Sequence, residues 1–189
     1  MKTKITTAIL ALVLTGAFAA TNPIKKMINV KESNITWTGK KVLGQHTGNI
    51  QLKDGVLEME NGELIGGNFT VDMTSITVTD LQSGKGKEKL EGHLNSPDFF
   101  DTEKYPEATF VITEVAKSGI GYSVVGDLTI KDHTESIKVH MDVDNNTAAT
   151  KFTVDRTKYG VRHGSPSFFD NLKDNAINDN FELVVNLKF

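Results

Sequence analysis

The run Phe181-Glu182-Leu183-Val184-Val185-Asn186-Leu187-Lys188 decides the fold. Phe181, Leu183, Val185 and Leu187 share one face. Glu182, Val184, Asn186 and Lys188 share the other. A period of two is the signature of a half-buried strand. A long apolar strand at the edge of an open sheet would pair with other chains, and closure of the sheet protects it. Earlier segments repeat the pattern. Phe152 and Val154 alternate with Thr153 and Asp155, and Ile137, Val139, Met141 and Val143 alternate with Lys138, His140 and Asp142. Val124, Gly126, Leu128 and Ile130 share one face, as do Phe110 and Ile112, and Phe69, Val71 and Met73. Further back, Ile50 pairs in pattern with Leu52, and Ile35 with Trp37. Short turns separate these runs. Asp54-Gly55 reads as a hairpin turn, Glu60-Asn61-Gly62 as another, and Gly66-Gly67 as a bulge or bend. An antiparallel sheet of about eight or nine strands follows, folded into a sandwich or closed into a barrel, with the barrel favoured. The fold class is all-β.

One segment breaks the alternation. Lys85 to Leu94 is rich in lysine, glutamate and leucine and reads as a helix inserted mid-chain, with Leu90 and Leu94 on one face. Then come Ser96-Pro97-Asp98-Phe99-Phe100-Asp101 and, later, the near repeat Ser165-Pro166-Ser167-Phe168-Phe169-Asp170. Serine before proline reads as an N-cap and first helical residue. Each segment should start a helical turn. One phenylalanine of each pair is expected to plug or lid the barrel, and the other to pack near the helix.

The 189 residues suit one domain. With 38% hydrophobic and 24% charged residues the composition is that of a soluble globular protein, and a net charge of −3 gives no basic footprint for nucleic acid. The absence of cysteine removes disulfides, thiolate metal sites and a cysteine nucleophile. Lys2 and Lys4, an apolar run from Ile9 to Val13, and Ala17-Phe18-Ala19 fit a signal peptide. The run is shorter than the ~20 residues of a spanning helix, so stable membrane insertion is not expected. Residues 1–19 are read as the signal and 20–189 as the domain. Removing two lysines changes the charge from −3 to −3 − 2 = −5. The mature protein is expected to be periplasmic or secreted.

No catalytic chemistry is advertised. The five histidines form no ligand-spaced pair, although His93 and His163 each precede a Phe-Phe segment and could meet in space. There is no Gly-x-Ser-x-Gly elbow and no phosphate loop. Strict alternation after Phe152 and Val154 would turn Arg156 inward, where it would need a partner. If the strand ends there, Arg156 reaches solvent. No cofactor or metal is expected.

Several segments together resemble the YceI-like family. Gly67-Asn68-Phe69-Thr70-Val71-Asp72-Met73-Thr74-Ser75-Ile76 is similar to its Gly-x-Phe-x-Val-Asp-x-x-Ser-Ile signature. His93-Leu94, Asp98-Phe99-Phe100-Asp101 and Tyr105-Pro106-x-Ala108-x-Phe110 match its centre. Val125-Gly126-Asp127-Leu128-Thr129-Ile130-Lys131 and Phe152-x-Val154-Asp155-Arg156-x-x-Tyr159-Gly160-Val161 match two more signatures. The departure is Lys131-Asp132-His133, where many relatives carry a glycine after Thr-Ile. The resemblance implies an exported, lipocalin-like barrel enclosing an apolar cavity, which in some members holds a polyisoprenoid or related lipid. The candidate ligand-binding residues are Trp37, Phe69, Val71, Phe99, Phe100, Phe110, Ile112, Leu128, Ile130, Phe152, Val154, Phe168, Phe169, Phe181 and Leu183. The expected partner is a hydrophobic small molecule, carried or stored without chemistry, and a homodimer is left open. The alternatives are a barrel enzyme acting on a small apolar substrate and a stress-related surface interaction domain. Alternation alone does not distinguish a cavity from a packed core.

Overall fold

A computed structural model describes residues 22–189. The expected signal peptide, residues 1–19, lies outside the described residues. The strands are β1 (Ile24–Met27), β2 (Asn34–Lys41), β3 (Gly44–Glu60), β4 (Glu63–Val78), β5 (Glu107–Ser118), β6 (Gly121–Ile130), β7 (His133–Asp144), β8 (Thr147–Asp155) and β9 (Ile177–Lys188). The helix α1 (Lys87–Asn95) sits between β4 and β5. Strands β2 to β9 pair antiparallel in chain order, and β9 returns to β2, so the sheet is a closed eight-stranded barrel. The long last strand is covered on both sides, by β8 and β2. β1 lies outside the closed set and pairs with the far half of β3, Met27 opposite Val56.

Asp54-Gly55 is not a hairpin turn. β3 runs through it, and the register against β4 shifts between Leu52 and Asp54. The glycine is required by crowding instead. A Cβ on Gly55 would lie 2.7 Å from Cδ1 of Phe69 and 3.0 Å from Cγ1 of Ile28. The Asn61-Gly62 turn does form, with φ of 52° and 82°, the positive pair that a tight hairpin needs. Beside that turn, Gly66 faces Glu58 while Leu64 faces Met59, which leaves Ile65 as the extra residue of a bulge.

α1 begins two residues later than Lys85, because Gly86 takes a left-handed φ of 102° at its N-cap. Glu88 of the first turn reaches back to the Ser83 hydroxyl and the Gly84 N–H, at 2.5 and 3.0 Å. Glu91 accepts the Val78 N–H at 2.8 Å and fastens the helix to the end of β4. Leu94 is buried and Leu90 packs beside it. Ser96 does not cap a new helix with its side chain. Its hydroxyl and N–H both donate to the His93 carbonyl and close α1. Its own carbonyl then accepts Phe99 and Asp101 N–H, which makes the turn that presents the first Phe pair.

Candidate functional site

The inward faces of the eight strands do not fill the barrel. They leave a cavity of about 180 Å³. Its wall includes Ile35, Trp37, Ile50, Leu52, Phe69, Val71 and Met73 on β2 to β4, and Leu128, Ile130, Val139, Met141 and Phe152 on β6 to β8. Phe181, Leu183, Val185 and Leu187 supply the β9 side, and Ala108 and Phe110 the β5 side. The polar side chains on its lining are Thr150, Arg156, Asn178 and the Trp37 indole, whose N–H is buried without a partner.

One end of the barrel carries the helix and both Phe-Phe segments. Phe99 is buried and lies edge-on to Phe100, with centroids 5.1 Å apart. Phe100 in turn meets Phe181 at 6.3 Å. Both Phe99 and Phe100 therefore line the cavity rather than dividing into a plug and a packing residue. Phe168 and Phe169 do not reach it and are exposed. The buried Ser165 takes the Ser167 N–H on its hydroxyl, and the Ser167 hydroxyl donates to Asp179, which turns the second pair outward. Ile112 and Val154 are buried but lie off the cavity, among other core side chains. The remaining candidates, Trp37, Phe69, Val71, Phe110, Leu128, Ile130, Phe152, Phe181 and Leu183, all line it.

Arg156 is the lining residue whose orientation the sequence left open. Asp155 caps a 3₁₀ turn over Arg156–Tyr159 by accepting from the N–H and hydroxyl of Thr157, and Gly160 closes it at φ 73°. The turn swings Arg156 into the barrel end, where only 2% of it is exposed. Its Nε donates to the Asn178 carbonyl at 3.1 Å, Nη1 to Val161 at 2.9 Å and Nη2 to Ile177 at 2.9 Å. The Asp179 carboxylate lies 3.6 Å from Nη2. The Phe99 ring lies 5.5 Å from the guanidinium carbon. Burial weighs against the charged form of Arg156, opposed by Asp179 and Asp155. Beside it, burial pushes the Tyr159 hydroxyl up to about 12.

His93 and His163 do meet, with ring centroids 4.5 Å apart. His93 also touches the edge of Phe99 at 5.5 Å. Its pKa is lowered, by burial first and then by His163, against the pull of Asp98. Among the described residues no group of three or more His, Asp or Glu side chains is placed to hold a metal ion. Ile76, Leu94, Gly39 and Ile177 are also on the lining; like Thr150, Asn178 and several strand residues such as Ile35, Leu52, Met141 and Val185, they were not among the sequence candidates. Thr150 could have been found by stepping back two residues from Phe152. Gly39 carries no side-chain signal at all.

The model of the YceI-like domain matches residues 27–189. The chain belongs to the YceI-like family. Its barrel resembles BcnA of Burkholderia cenocepacia, with a TM-score of 0.65 at 22% identity over 85% of this chain and 98% of that one. It also resembles a polyisoprenoid binding domain from Saccharophagus degradans, with a TM-score of 0.57 at 12% identity over 88% of this chain and 99% of that one. At such identities the likeness concerns the fold. In sequence, the YceI-like chain is 36% identical over 84 residues to UPF0312 protein plu2095 of Photorhabdus laumondii, covering 41% of this chain and 44% of the relative. It is 34% identical over 70 residues to Protein YceI of Escherichia coli, covering 37% of each. These aligned stretches span less than half the length of either relative.

Proposed function

We propose that the protein is exported after cleavage near Ala19 and carries or stores a polyisoprenoid or similar lipid-like molecule in its barrel, without acting on it chemically. The carrying observation is the apolar cavity inside the barrel, with Arg156 and Asn178 at one end and only Thr150 and the Trp37 indole as further polar groups on its wall. Apolar walls supply affinity and a small number of convergent polar groups fix orientation. The Saccharophagus degradans neighbour, described as polyisoprenoid binding, supports the same ligand class. The ligand-binding residues under this reading are those on the cavity wall, including Phe99 and Phe100 but not Phe168 or Phe169. At about 180 Å³ the void is smaller than the ~300–1,000 Å³ of ordinary ligand sites. Entry of a long chain therefore requires wall side chains such as Phe100 and Phe181 to move.

Native mass spectrometry of protein purified from its host, followed by solvent extraction, tests the proposal. The expected result is a bound mass that is released as an isoprenoid or other apolar lipid. Protein that is empty as isolated, and that stays empty after incubation with a polyprenol, would refute it.

A further inference from the structure

Four large apolar side chains at the α1 end of the barrel cover nothing. Val42 and Leu43 form the tip of the β2–β3 hairpin and are 59% and 69% exposed. Phe168 and Phe169, in the loop before β9, are 47% and 51% exposed. The Val42 N–H donates to the Ala176 carbonyl at 3.3 Å, so tip and loop leave the barrel at the same place. Single exposed apolar residues are ordinary. Two adjacent exposed pairs on neighbouring elements at one end of the barrel suit a contact surface.

The surrounding charge identifies the partner. Lys40 and Lys41 precede the tip and are exposed. The Arg162 guanidinium carbon lies 4.5 Å from the Phe168 centroid, and Lys173 is exposed further along the same loop. None of these four cations is in an ion pair among the described residues. Over the hairpin tip and residues 161–176 the formal count, with Asp170 and Asp174, is 4 − 2 = +2, in a chain whose net charge is −3. Lysine is depleted at the core of protein–protein interfaces. Apolar tips flanked by free lysine and arginine suit a bilayer boundary instead. There the apolar groups enter below the headgroups and the cations meet anionic phosphates.

We propose that this rim docks the protein peripherally on a membrane surface rich in anionic phospholipid, with Val42–Leu43 and Phe168–Phe169 entering the interface. The cavity wall reaches the same end, with Phe99, Phe100, Arg156 and Ile177 on its lining. A Cβ on Gly39, which lies on its wall three residues before the tip, would meet nothing within 4 Å. Docking thus aims this end of the barrel at the bilayer. The docking stands on the rim alone, and its readout is separate from the detection of a bound lipid.

The test is flotation of the whole chain, as its host produces it, with vesicles of equal parts phosphatidylethanolamine and phosphatidylglycerol. Vesicles of phosphatidylcholine alone are the comparison. Wild type and variants share one N-terminus, so differences between them report on the rim. Wild type is expected to float with the anionic vesicles, and less so at ~1 M salt, where the Debye length falls to about 3 Å. Leu43→Asp combined with Phe169→Asp should lower binding about tenfold or more. Lys40→Gln and Lys41→Gln should each lower it about fivefold. Ile120→Asp changes a side chain 97% exposed on the β5–β6 turn and should have no effect. Circular dichroism verifies that each variant is folded. Three outcomes overturn the proposal: wild type that ignores anionic vesicles, rim variants that bind as wild type does, or Ile120→Asp weakening binding as much as the rim pair. A dimer in light scattering that Leu43→Asp dissolves would also overturn it, by assigning the rim to a second copy of the chain.

Discussion

Arg156 is held mainly by backbone. The sequence left open whether Arg156 turns inward or, with the strand ending there, reaches solvent; β8 does end at Asp155, and the 3₁₀ turn buries Arg156 all the same. Its acceptors were not legible, because the carbonyls of Val161, Ile177 and Asn178 reach it only through the 3₁₀ turn and the start of β9. Removing one member of a buried charged pair typically costs about 3–5 kcal/mol. Arg156→Ala should fall in that range by chemical denaturation, since it strands Asp179 and three carbonyls. Arg156→Lys should recover only part, because one ammonium cannot match a planar fork. His93 gives a pH signature. Its folded pKa lies below the ordinary histidine value of about 6.5. The unfolded chain therefore binds its proton first as pH falls. The contribution of neutral His93 is fully present above ~6.5 and is lost as pH drops through the lowered folded value. The slope of stability against pH just below ~6.5 should flatten in His93→Gln, as measured by melting temperature across that range.

At the level of elements, the two Phe-Phe segments share a sequence and part company in space. Near-identity suggested one job at two places. The first follows α1 and is folded over the cavity, while the second is pinned by Ser165 and Ser167 with its rings outward. Those anchors involve Asp179 on β9, so no local reading could separate the pairs. Phe99→Ala should cost about 3–5 kcal/mol in denaturation, the range of core aromatic truncations. Phe168→Ala should stay within about 0.5 kcal/mol, as surface changes do. Equal effects would contradict the difference in placement. β3 teaches a related point. Its 17 residues contain Asp-Gly, a strong turn signal, yet the chain continues because Gly55 serves contact with Phe69 and Ile28. Gly126 on β6 is similar, since a Cβ there would stand 2.5 Å from Cζ of Phe110. Gly126→Ala should destabilise by about 1–3 kcal/mol, the usual cost of overpacking.

For the molecule as a whole, the barrel was legible because each of its eight strands keeps an apolar face and the last strand needed two neighbours. The void was not, since a filled and a hollow barrel have the same alternation. Gly39 offers a direct probe of it. Gly39→Leu places a side chain into open space, so it should preserve the melting temperature while reducing lipid uptake, read by the extraction assay. Loss of fold without loss of uptake would argue that the space is not where ligand sits. The seam between β2 and β9 has a further, kinetic consequence. It joins Asn34 to Asn186 and Gly39 to Phe181, the first barrel strand to the last. Contacts this distant in sequence form slowly. The barrel cannot be completed until its C-terminal strand is free to fold, and a chain still being synthesised would wait with β2 and β8 as open edges. The only tryptophan, Trp37, sits on that seam opposite Leu183. Its fluorescence should therefore change in the slowest refolding phase in stopped-flow experiments, after far-ultraviolet circular dichroism has already recovered most of the sheet signal.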